Sequence, residues 1–267
     1  MPDIVIQGAA GRMGRLCVRA VVQNTGLTLA GAVVKEGDPR AGEDAGELAG
    51  IGFIGVPLVT SVADVLAKGR VLVDFSVPAA AVAALKLAAA HGCPAVLGTT
   101  GLKAAERDAV EDAGRAVAVV AAPNMAVGVN VVFNLIARAA RALGPGFDME
   151  IVELHHRRKK DAPSGTAERM AEILADARKL SPDGITRARE GLVGPRPEGE
   201  IGVMALRGGE VIGEHTVLFI GSTERVEITH RAMSRDAFAE GAVRAARWVA
   251  VAGRRPGVYS MQDVMEG

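Results

Sequence analysis

Short aliphatic runs alternate with helical segments through the first half of the chain. The runs that suit strands lie at 3–7, 27–34, 71–75, 94–97 and 117–121, and the segments that suit helices lie at 12–24, 78–91 and 103–115. Buried strands of a parallel sheet read as aliphatic runs, and helices connect them. This order predicts an α/β fold with a Rossmann-like, doubly wound parallel sheet. The glycine-rich region 34–71 is predicted as loop with a short helix near 61–67.

The pattern changes after residue 123. A helix with an apolar stripe at 124–143 is followed by a strand at 149–154, a helix at 166–179, and strands at 201–206, 211–220 and 225–230. Strands in series indicate a C-terminal α+β domain with a mixed or antiparallel sheet. The last helix, at 236–251, is expected to return to the first domain. The predicted domains are 1–125 rejoined by 236–267, and 126–235, and the Gly/Pro-rich stretch 191–202 is predicted as a mobile or functional loop.

Composition narrows the class of protein. Lysine plus arginine equals aspartate plus glutamate, 31 each, which argues against nucleic-acid and membrane-surface partners. The first residues lack the pattern of a signal peptide, and no stretch approaches the roughly 20 uninterrupted apolar residues of a membrane span. We therefore expect a cytoplasmic protein. Cys17 and Cys93 have no CxxC partner and are expected to be reduced and buried.

A glycine-rich turn follows the first predicted strand and opens the first helix. In the segment 8–14, Gly8 allows a tight turn, Gly11 lets the backbone approach a pyrophosphate, and Gly14 lets the helix pack close to the sheet. The helix N-terminus offers N–H groups to phosphates. The spacing is GxxGxxG rather than GxGxxG, so a structural turn without a cofactor is the alternative. The strand–turn–helix context favours a dinucleotide site.

Other cofactor contacts are expected where later strands end. Val34 stands where an acidic residue usually holds the ribose of NAD, and Lys35, with Arg12, can attract a 2′-phosphate. We therefore predict that NADPH is used at least as well as NADH, unless both basic side chains are simply solvated. The candidate cofactor-binding residues are Gly8, Gly11, Arg12, Met13, Gly14, Lys35, Gly98, Thr99, Thr100, Ala122, Pro123, Asn124 and Met125. The segments 98–101 and 122–125 can also be plain strand-to-helix turns.

The segment 153–167 concentrates the chemistry. Histidine side chains can deliver a proton near neutral pH, which makes His155 a candidate donor, and Lys159 is a second cationic donor. Ser164, Gly165 and Thr166 resemble a helix N-terminus that can hold a carboxylate, so a small dianion is the expected substrate. A solvated basic face is the plainer alternative. A zinc site is not expected, because no cysteine or third histidine lies nearby, and a serine hydrolase would need a GxSxG motif.

Six motifs resemble the dihydrodipicolinate (4-hydroxy-tetrahydrodipicolinate) reductase family, and they extend over nearly the whole chain. They are GAAGRMG at 8–14, GTTG at 98–101, APNMAVGVN at 122–130, ELHHRRKKDAPSGTA at 153–167, and RGGEVIGEHTV at 207–217 with EITHRAMSR at 227–235. The resemblance implies reduction of a cyclic unsaturated dicarboxylate to tetrahydrodipicolinate with NADH or NADPH, in lysine and diaminopimelate synthesis. It departs from the family at Val34 and at Met125, where an aromatic is common near the nicotinamide.

The resemblance also implies roles for individual residues. His155 would be the proton donor, assisted by Lys159, and the substrate carboxylates would be gripped by His156, Ser164, Gly165 and Thr166. It implies a homotetramer joined through the sheets of the C-terminal domain, which makes 126–235 the substrate-binding and oligomerisation domain.

Two alternatives stay open at the level of the sequence. A two-domain amino-acid dehydrogenase would keep the fold and change the substrate, but the carboxylate-binding turn with its His-His-x-x-Lys spacing favours the reductase. A redox sensor would bind NAD(P) without turnover, and the intact donor residues argue against it.

Overall fold

The computed structural model describes residues 1–267, which divide into two compact units. Unit 1 comprises Met1–Val127 and Arg235–Gly267, and unit 2 comprises Gly128–Ser234. Each unit has its own sheet. The helix and strand bounds below are given unit by unit.

Unit 1 is built on seven parallel strands. They are β1 (Asp3–Gln7), β2 (Thr28–Val33), β3 (Leu58–Val59), β4 (Arg70–Asp74), β5 (Ala95–Leu97), β6 (Ala118–Ala121) and β12 (Gly257–Tyr259). Their order across the sheet is β12-β6-β5-β4-β1-β2-β3, and every pair is parallel. The predicted doubly wound parallel sheet is confirmed.

Six helices belong to unit 1. They are α1 (Arg12–Val22), α2 (Ala45–Ala49), α3 (Pro78–Ala90), α4 (Ala104–Gly114), α7 (Asp236–Val249) and α8 (Met261–Glu266). Neighbouring strand residues point to opposite faces of a sheet. Ile4 and Ile6 accordingly pack in one buried cluster with α1, α7 and α8, whereas Val5 packs in a second with α3 and α4. Both cysteines are free and buried, as expected, and burial raises the pKa of Cys17 to about 12.

The region 34–71 differs from the prediction. The structure contains α2 and β3 there, and 61–67 forms a turn rather than the expected short helix. Asp44 begins α2, and its carboxylate accepts hydrogen bonds from the backbone N–H groups of Gly46, Glu47, Ile54 and Val56 at 2.9–3.1 Å. Because one side chain organises such short elements, hydrophobic periodicity gives little sign of them. The prediction also missed β12 and α8.

Unit 2 contains a mixed five-stranded sheet and two helices. The elements are α5 (Val127–Leu143, whose first residue closes unit 1), β7 (Asp148–His155), α6 (Gly165–Arg178), β8 (Ile185–Thr186), β9 (Ile201–Arg207), β10 (Glu214–Ile220) and β11 (Arg225–Arg231), with 3₁₀ turns at Gly144–Gly146 and Pro182–Gly184. The order is β11-β10-β7-β9-β8. Strands β7, β9 and β8 pair in parallel, and the β7–β10 and β10–β11 pairs are antiparallel. The predicted mixed sheet is confirmed.

Strand β7 alternates strictly between buried and partly exposed positions. Its buried positions are Met149, Ile151, Glu153 and His155. A period of two places these four side chains on one face of the sheet. An acidic residue and a histidine therefore occupy positions that the pattern would assign to apolar side chains.

Helix α5 is amphipathic. With its following turn, the segment Val127–Gly146 is long and apolar enough, by length and composition only, to cross a membrane. Val129, Phe133 and Ile136 are buried, whereas Arg138 and Arg141 are exposed. A buried stripe opposite charged positions is typical of a helix packed in a globular protein.

Ion pairs tie the loop between β8 and β9 to the start of β7. In this loop, Arg189 pairs with Glu150 at 2.7 Å, and Arg196 pairs with Asp148 at 2.7 Å. Arg189 also pairs with Glu200, beside β9. Within the stretch 191–202, which is predicted as a mobile or functional loop, Arg196 and Glu200 thus have ion-pair partners.

Candidate active site

The predicted cofactor contacts gather at one edge of the unit 1 sheet. The segments 8–14, 98–101 and 122–125 follow β1, β5 and β6, whose carboxyl ends share that edge because the strands are parallel. The chain runs from β1 to β2 and β3 on one side, and β4 to β6 lie on the other. Ligands of open α/β sheets bind at such a switch point.

The glycine-rich turn has the geometry of a dinucleotide cradle. Gly8 has φ 78°, and the N–H groups of Gly8 and Ala9 donate to the Val33 carbonyl at 3.0 and 2.9 Å. A Cβ on Gly14 would overlap the carbonyl oxygen of Gly8 and lie 2.7 Å from Ala9 Cα. No side chain caps α1 at Gly11. The turn therefore fits a pyrophosphate, which would satisfy the free N–H groups of the helix.

Next to this turn, a buried carboxylate joins the ends of β4 and β5. Asp74 Oδ1 accepts hydrogen bonds from Thr99 Oγ1 at 2.5 Å and from Ser76 N at 3.0 Å. Burial raises the pKa of Asp74, and the hydrogen bonds from Thr99 and Ser76 partly offset this. Gly98 packs against the Phe75 ring so closely that a Cβ would overlap it. The Thr99 side chain is thus buried and paired, while Thr100 is exposed.

The segment after β6 contributes less than the sequence suggested. Ala122 is buried, Pro123 is exposed, and Asn124 Oδ1 accepts a hydrogen bond from Ala126 N at 2.9 Å. The Met125 side chain is 1% exposed and belongs to the core. The Met125 side chain packs in the core, so a contact of Met125 with the nicotinamide would have to come from its backbone.

Sequence reasoning missed one basic residue beside the glycine-rich turn. Lys35 and Arg12 are both exposed, and Met13 is partly buried. Arg40 donates from Nη1 to the Ala10 carbonyl at 3.3 Å and pairs with Asp38 at 2.8 Å. The hydrogen bond from Arg40 lowers the pKa of Asp38 to about 2. The sequence signal that could have identified Arg40 is that it is the second basic residue after β2, following Lys35.

In unit 2, strand register assembles a second cluster around His155. His155 on β7 lies opposite Arg207 on β9, and Glu153 on β7 lies opposite His215 on β10. Three adjacent strands therefore bring two histidines, a carboxylate and a guanidinium together. None of Glu153, Arg207 and His215 received a role from the sequence, although Glu153 at an apolar position of a strand was a usable signal.

Glu153 is the centre of this cluster. Its carboxylate is 0% exposed and accepts hydrogen bonds from His155 Nδ1 at 2.6 Å, from Ser164 N at 2.9 Å, and from Arg207 Nη1 and Nη2, both at 2.8 Å. Burial alone would raise the pKa of Glu153, but the hydrogen bonds from His155 and Arg207 outweigh it and lower the pKa to about 2. A carboxylate is therefore present at neutral pH.

His155 is enclosed by His215 and Gly213. The two imidazole rings meet edge to face with centroids 5.1 Å apart, and His215 Nε2 lies 2.9 Å from Ser164 Oγ. Burial, followed by the neighbouring His155, lowers the pKa of His215 to about 3. A Cβ on Gly213 would lie 2.9 Å from His155 Nε2. A neutral His215 thus supports His155, and the glycine leaves room at its Nε2 atom.

The loop after β7 carries the second predicted donor. Lys159 Nζ pairs with Asp161 at 2.8 Å, and Arg207 Nη2 donates to the Asp161 carbonyl at 2.6 Å. His156 is partly buried, and Arg158 is exposed and pairs with Glu210. The predicted donors His155 and Lys159 are therefore connected through Asp161, Arg207 and Glu153.

The predicted carboxylate-binding residues form the start of α6. Ser164 is 2% exposed, and its hydroxyl accepts a hydrogen bond from Ala167 N at 3.2 Å as the N-cap of the helix. Gly165 is exposed with open space where a Cβ would be, and Thr166 is partly buried. The Ser164 hydroxyl faces inward, so Gly165 and Thr166 are the members of this turn nearest to solvent.

No group of three or more His, Cys, Asp or Glu side chains in the chain is arranged so that it could hold a metal ion.

Comparison with known proteins gives a consistent result. The family models described as Dihydrodipicolinate reductase, N-terminus, and Dihydrodipicolinate reductase, C-terminus, match residues 2–125 and 128–265. The 4-hydroxy-tetrahydrodipicolinate reductase of Anaeromyxobacter dehalogenans (strain 2CP-1 / ATCC BAA-258) is 50% identical over 266 residues, covering 99% of this chain and 98% of the relative. That of Rubrobacter xylanophilus (strain DSM 9941 / JCM 11954 / NBRC 16129 / PRD-1) is 51% identical, with the same coverage.

Solved structures share the fold at lower identity. The dipicolinate-bound dihydrodipicolinate reductase of Paenisporosarcina sp. TG-14 has a TM-score of 0.75 at 22% identity, covering 97% of each chain. A myo-inositol dehydrogenase of Corynebacterium glutamicum ATCC 13032 has a TM-score of 0.59 at 17% identity, covering 96% of this chain and 90% of the other.

The fold and the site define a nicotinamide-dependent oxidoreductase with two structural units. The chain belongs to the dihydrodipicolinate reductase family, whose two family models together cover nearly its whole length.

Gly14→Ala tests the cradle. The new Cβ would overlap the Gly8 carbonyl, so we expect a loss of about 1–3 kcal/mol in the free energy of unfolding and a higher Kd for NADPH. Urea unfolding and fluorescence titration measure the two effects. Gly146→Ala is the control, because nothing lies within 4 Å of a Cβ there. Unchanged NADPH binding in Gly14→Ala would show that the close approach is dispensable.

Proposed function

We propose that this chain catalyses the NAD(P)H-dependent reduction of 4-hydroxy-tetrahydrodipicolinate (dihydrodipicolinate) to tetrahydrodipicolinate in lysine and diaminopimelate biosynthesis. Starting from the 4-hydroxy compound, the reaction takes up one hydride and one proton and releases one water. Starting from dihydrodipicolinate, which has already lost that water, it takes up only the hydride and the proton. The observation that carries the proposal is the 2.6 Å hydrogen bond from His155 Nδ1 to the buried Glu153 carboxylate. Because this hydrogen bond occupies Nδ1 of His155, the other ring nitrogen, Nε2, is the atom that can transfer a proton. Relatives about 50% identical carry the name of this reductase.

Unit 1 is proposed to bind the dinucleotide. When bound, NADH or NADPH supplies the hydride. The turn from Gly8 to Gly14 holds the pyrophosphate through its backbone, because no side chain caps the N–H groups at the start of α1. Residues of the segments 98–101 and 122–125 line the nicotinamide side at the same sheet edge, through Thr100 and backbone groups.

Unit 2 is proposed to bind the substrate and deliver the proton. His155 Nε2 donates the proton, and the Lys159 ammonium assists it as a second cation. The substrate carboxylates are held by backbone N–H groups of Gly165 and Thr166 and by His156. Ser164 supports this turn from inside, because its hydroxyl caps α6 and its N–H binds Glu153. A dianion matches this combination of helix N-terminus and basic side chains.

A homotetramer, formed through the sheets of unit 2, is part of the proposal. The sheet face opposite Glu153 and His155 carries partly exposed apolar side chains, among them Val152, Leu154 and Leu218, with Leu206 50% exposed. Such a face is typical of an interface between subunits. A cytoplasmic location is proposed as well, supported by the balanced charge.

The family assignment leaves little support for the alternatives. Dehydrogenases with other substrates share the fold at under 25% identity, which concerns architecture alone. A sensor that binds NAD(P) without turnover does not need a buried carboxylate that orients a histidine, as Glu153 orients His155. The basic test of the proposal is the oxidation of NADPH at 340 nm with freshly generated enzyme-made substrate, repeated with NADH.

His155→Gln and Lys159→Ala test the donor assignment in that assay. We expect kcat to fall by about 100-fold or more in each, because a positioned acid contributes about that much. Lys160→Ala, an exposed neighbour, is the matched control and should keep the activity of the unaltered chain. Wild-type kcat in both donor variants would refute the assignment.

Arg40→Ala and Lys35→Ala test cofactor recognition. Arg40 is held against the glycine-rich turn by Asp38, so we expect its loss to raise KM for NADPH by about tenfold while KM for NADH stays nearly constant. Lys35→Ala should have a smaller effect of the same kind, because Lys35 is exposed. Arg115→Ala is the control, because Arg115 is the exposed C-cap residue of α4. Equal effects on both cofactors, or a wild-type KM for NADPH far above that for NADH, would contradict this role.

Leu218→Lys tests the interface. A charge buried between subunits is unfavourable, so we expect the variant to have a smaller molar mass in solution than the unaltered tetramer. Leu135→Lys, on an exposed position of α5, is the control and should leave the mass unchanged. Light scattering coupled to size-exclusion chromatography gives the masses, and an unaltered mass for Leu218→Lys would exclude this face.

A further inference from the structure

We propose that Glu153 is a positioning residue for proton transfer: it fixes the imidazole of His155 so that Nε2 is the nitrogen that exchanges the proton, and it joins this donor to the carboxylate-binding start of α6. The inference rests on the proposed function and deepens it. Glu153 accepts hydrogen bonds from His155, Ser164 and Arg207 over distances of 2.6–2.9 Å.

The position of Glu153 argues that it is retained for more than packing. It shares the buried face of β7 with Met149 and Ile151, where an aliphatic residue would satisfy the alternation. Burying a carboxylate is costly unless it is paired and hydrogen-bonded. A well-packed apolar residue at such a site is often at least as stabilising as an ion pair. The carboxylate and Arg207 therefore call for a role other than holding the sheet together.

The hydrogen-bond count separates positioning from direct catalysis. A carboxylate has about four lone-pair sites, and Glu153 accepts four hydrogen bonds, two of them from Arg207. Nothing remains for a substrate or a water molecule. Glu153 is also 0% exposed, so it acts only through the groups that it holds.

An ionised carboxylate determines which imidazole nitrogen is active. Because it can only accept, His155 Nδ1 must carry the hydrogen that it shares with Glu153. Proton exchange is thereby assigned to Nε2, the atom beside Gly213. A second group that orients a histidine in this way is a recurrent device of proton-transfer and metal sites.

The surrounding charges make Glu153 the single anion directly bonded to the donor. From β9, Arg207 brings a positive charge; from β10, His215 is neutral; from the following loop, Lys159 is paired with Asp161. Ser164, the N-cap of α6, donates its N–H to the same carboxylate as His155. Glu153 therefore places the proton donor and the anion-binding turn in a fixed relation.

Glu153→Gln and Glu153→Asp test the inference by kinetics. The amide cannot accept from every donor, so we expect kcat to fall by about 10- to 100-fold in Glu153→Gln, with KM for NADPH changed by less than about threefold. Glu153→Asp keeps the charge and should recover part of kcat. Glu172→Gln is the matched control, because Glu172 is exposed on α6 and pairs with the exposed Arg169. Wild-type kcat in a folded Glu153→Gln would overturn the proposal.

A double variant separates positioning from stability. Glu153→Gln leaves Arg207 without its partner and is expected to lower the melting temperature. Glu153→Gln combined with Arg207→Met removes both charges and should restore much of the stability. If Glu153 positions His155, kcat stays low in the stable double variant. Recovery of kcat together with stability would assign Glu153 a structural role only.

Imidazole ¹⁵N NMR provides a readout that needs no turnover. The His155 signals are identified by their loss in His155→Gln. In the unaltered chain we expect the neutral ring to carry its hydrogen on Nδ1, the atom that faces Glu153, and in Glu153→Gln we expect a mixture of the two tautomers. Identical ring signals in the two proteins would refute the inference. Failure of the unaltered chain to oxidise NADPH would instead refute the proposed function, and the NMR result would still test Glu153.

Discussion

The buried carboxylate of Glu153 is the constraint on which unit 2 depends. Its four hydrogen bonds join residues from β7, from the start of α6 and from β9, and His215 on β10 lies directly opposite it. A buried charge is tolerated only when its lone pairs are satisfied, so these groups must be in place together. The need to satisfy every lone pair of the buried carboxylate costs free energy, and it also fixes the positions of the groups around Glu153.

Both units use one topological rule. In unit 1 the cradle lies where a parallel strand ends and a helix begins, and in unit 2 the segment from His155 to Ser164 joins the end of β7 to α6. Backbone N–H groups at these helix starts favour anions. A pyrophosphate and a small dicarboxylate therefore suit the two halves of the chain for the same electrostatic reason.

Local patterns explain how much the sequence revealed. Aliphatic runs and amphipathic helices identified the parallel sheet, and the strand–turn–helix context identified Gly8, Gly11 and Gly14. The chemistry of the segment 153–167 identified His155 and Lys159 as candidate donors, and the motif resemblance implied the same roles. The roles of Arg207 and His215 were not predicted, because their positions depend on strand register between residues 50 or more apart. Short-range periodicity carries no information about that register. Met125 is predicted near the cofactor because its backbone follows a strand end, but its side chain is buried in the core.

The long separation between Glu153 and Arg207 has a consequence for biogenesis. Residues 153–164 are made early, but the guanidinium that neutralises the carboxylate is 54 positions further along the chain. A nascent chain that ends before β9 cannot bury Glu153 without leaving its charge uncompensated. The hydrogen-bonded cluster around His155, the proposed proton donor, is thus complete only after β9 has been synthesised. A chain that stops before β9 carries the motif without this arrangement.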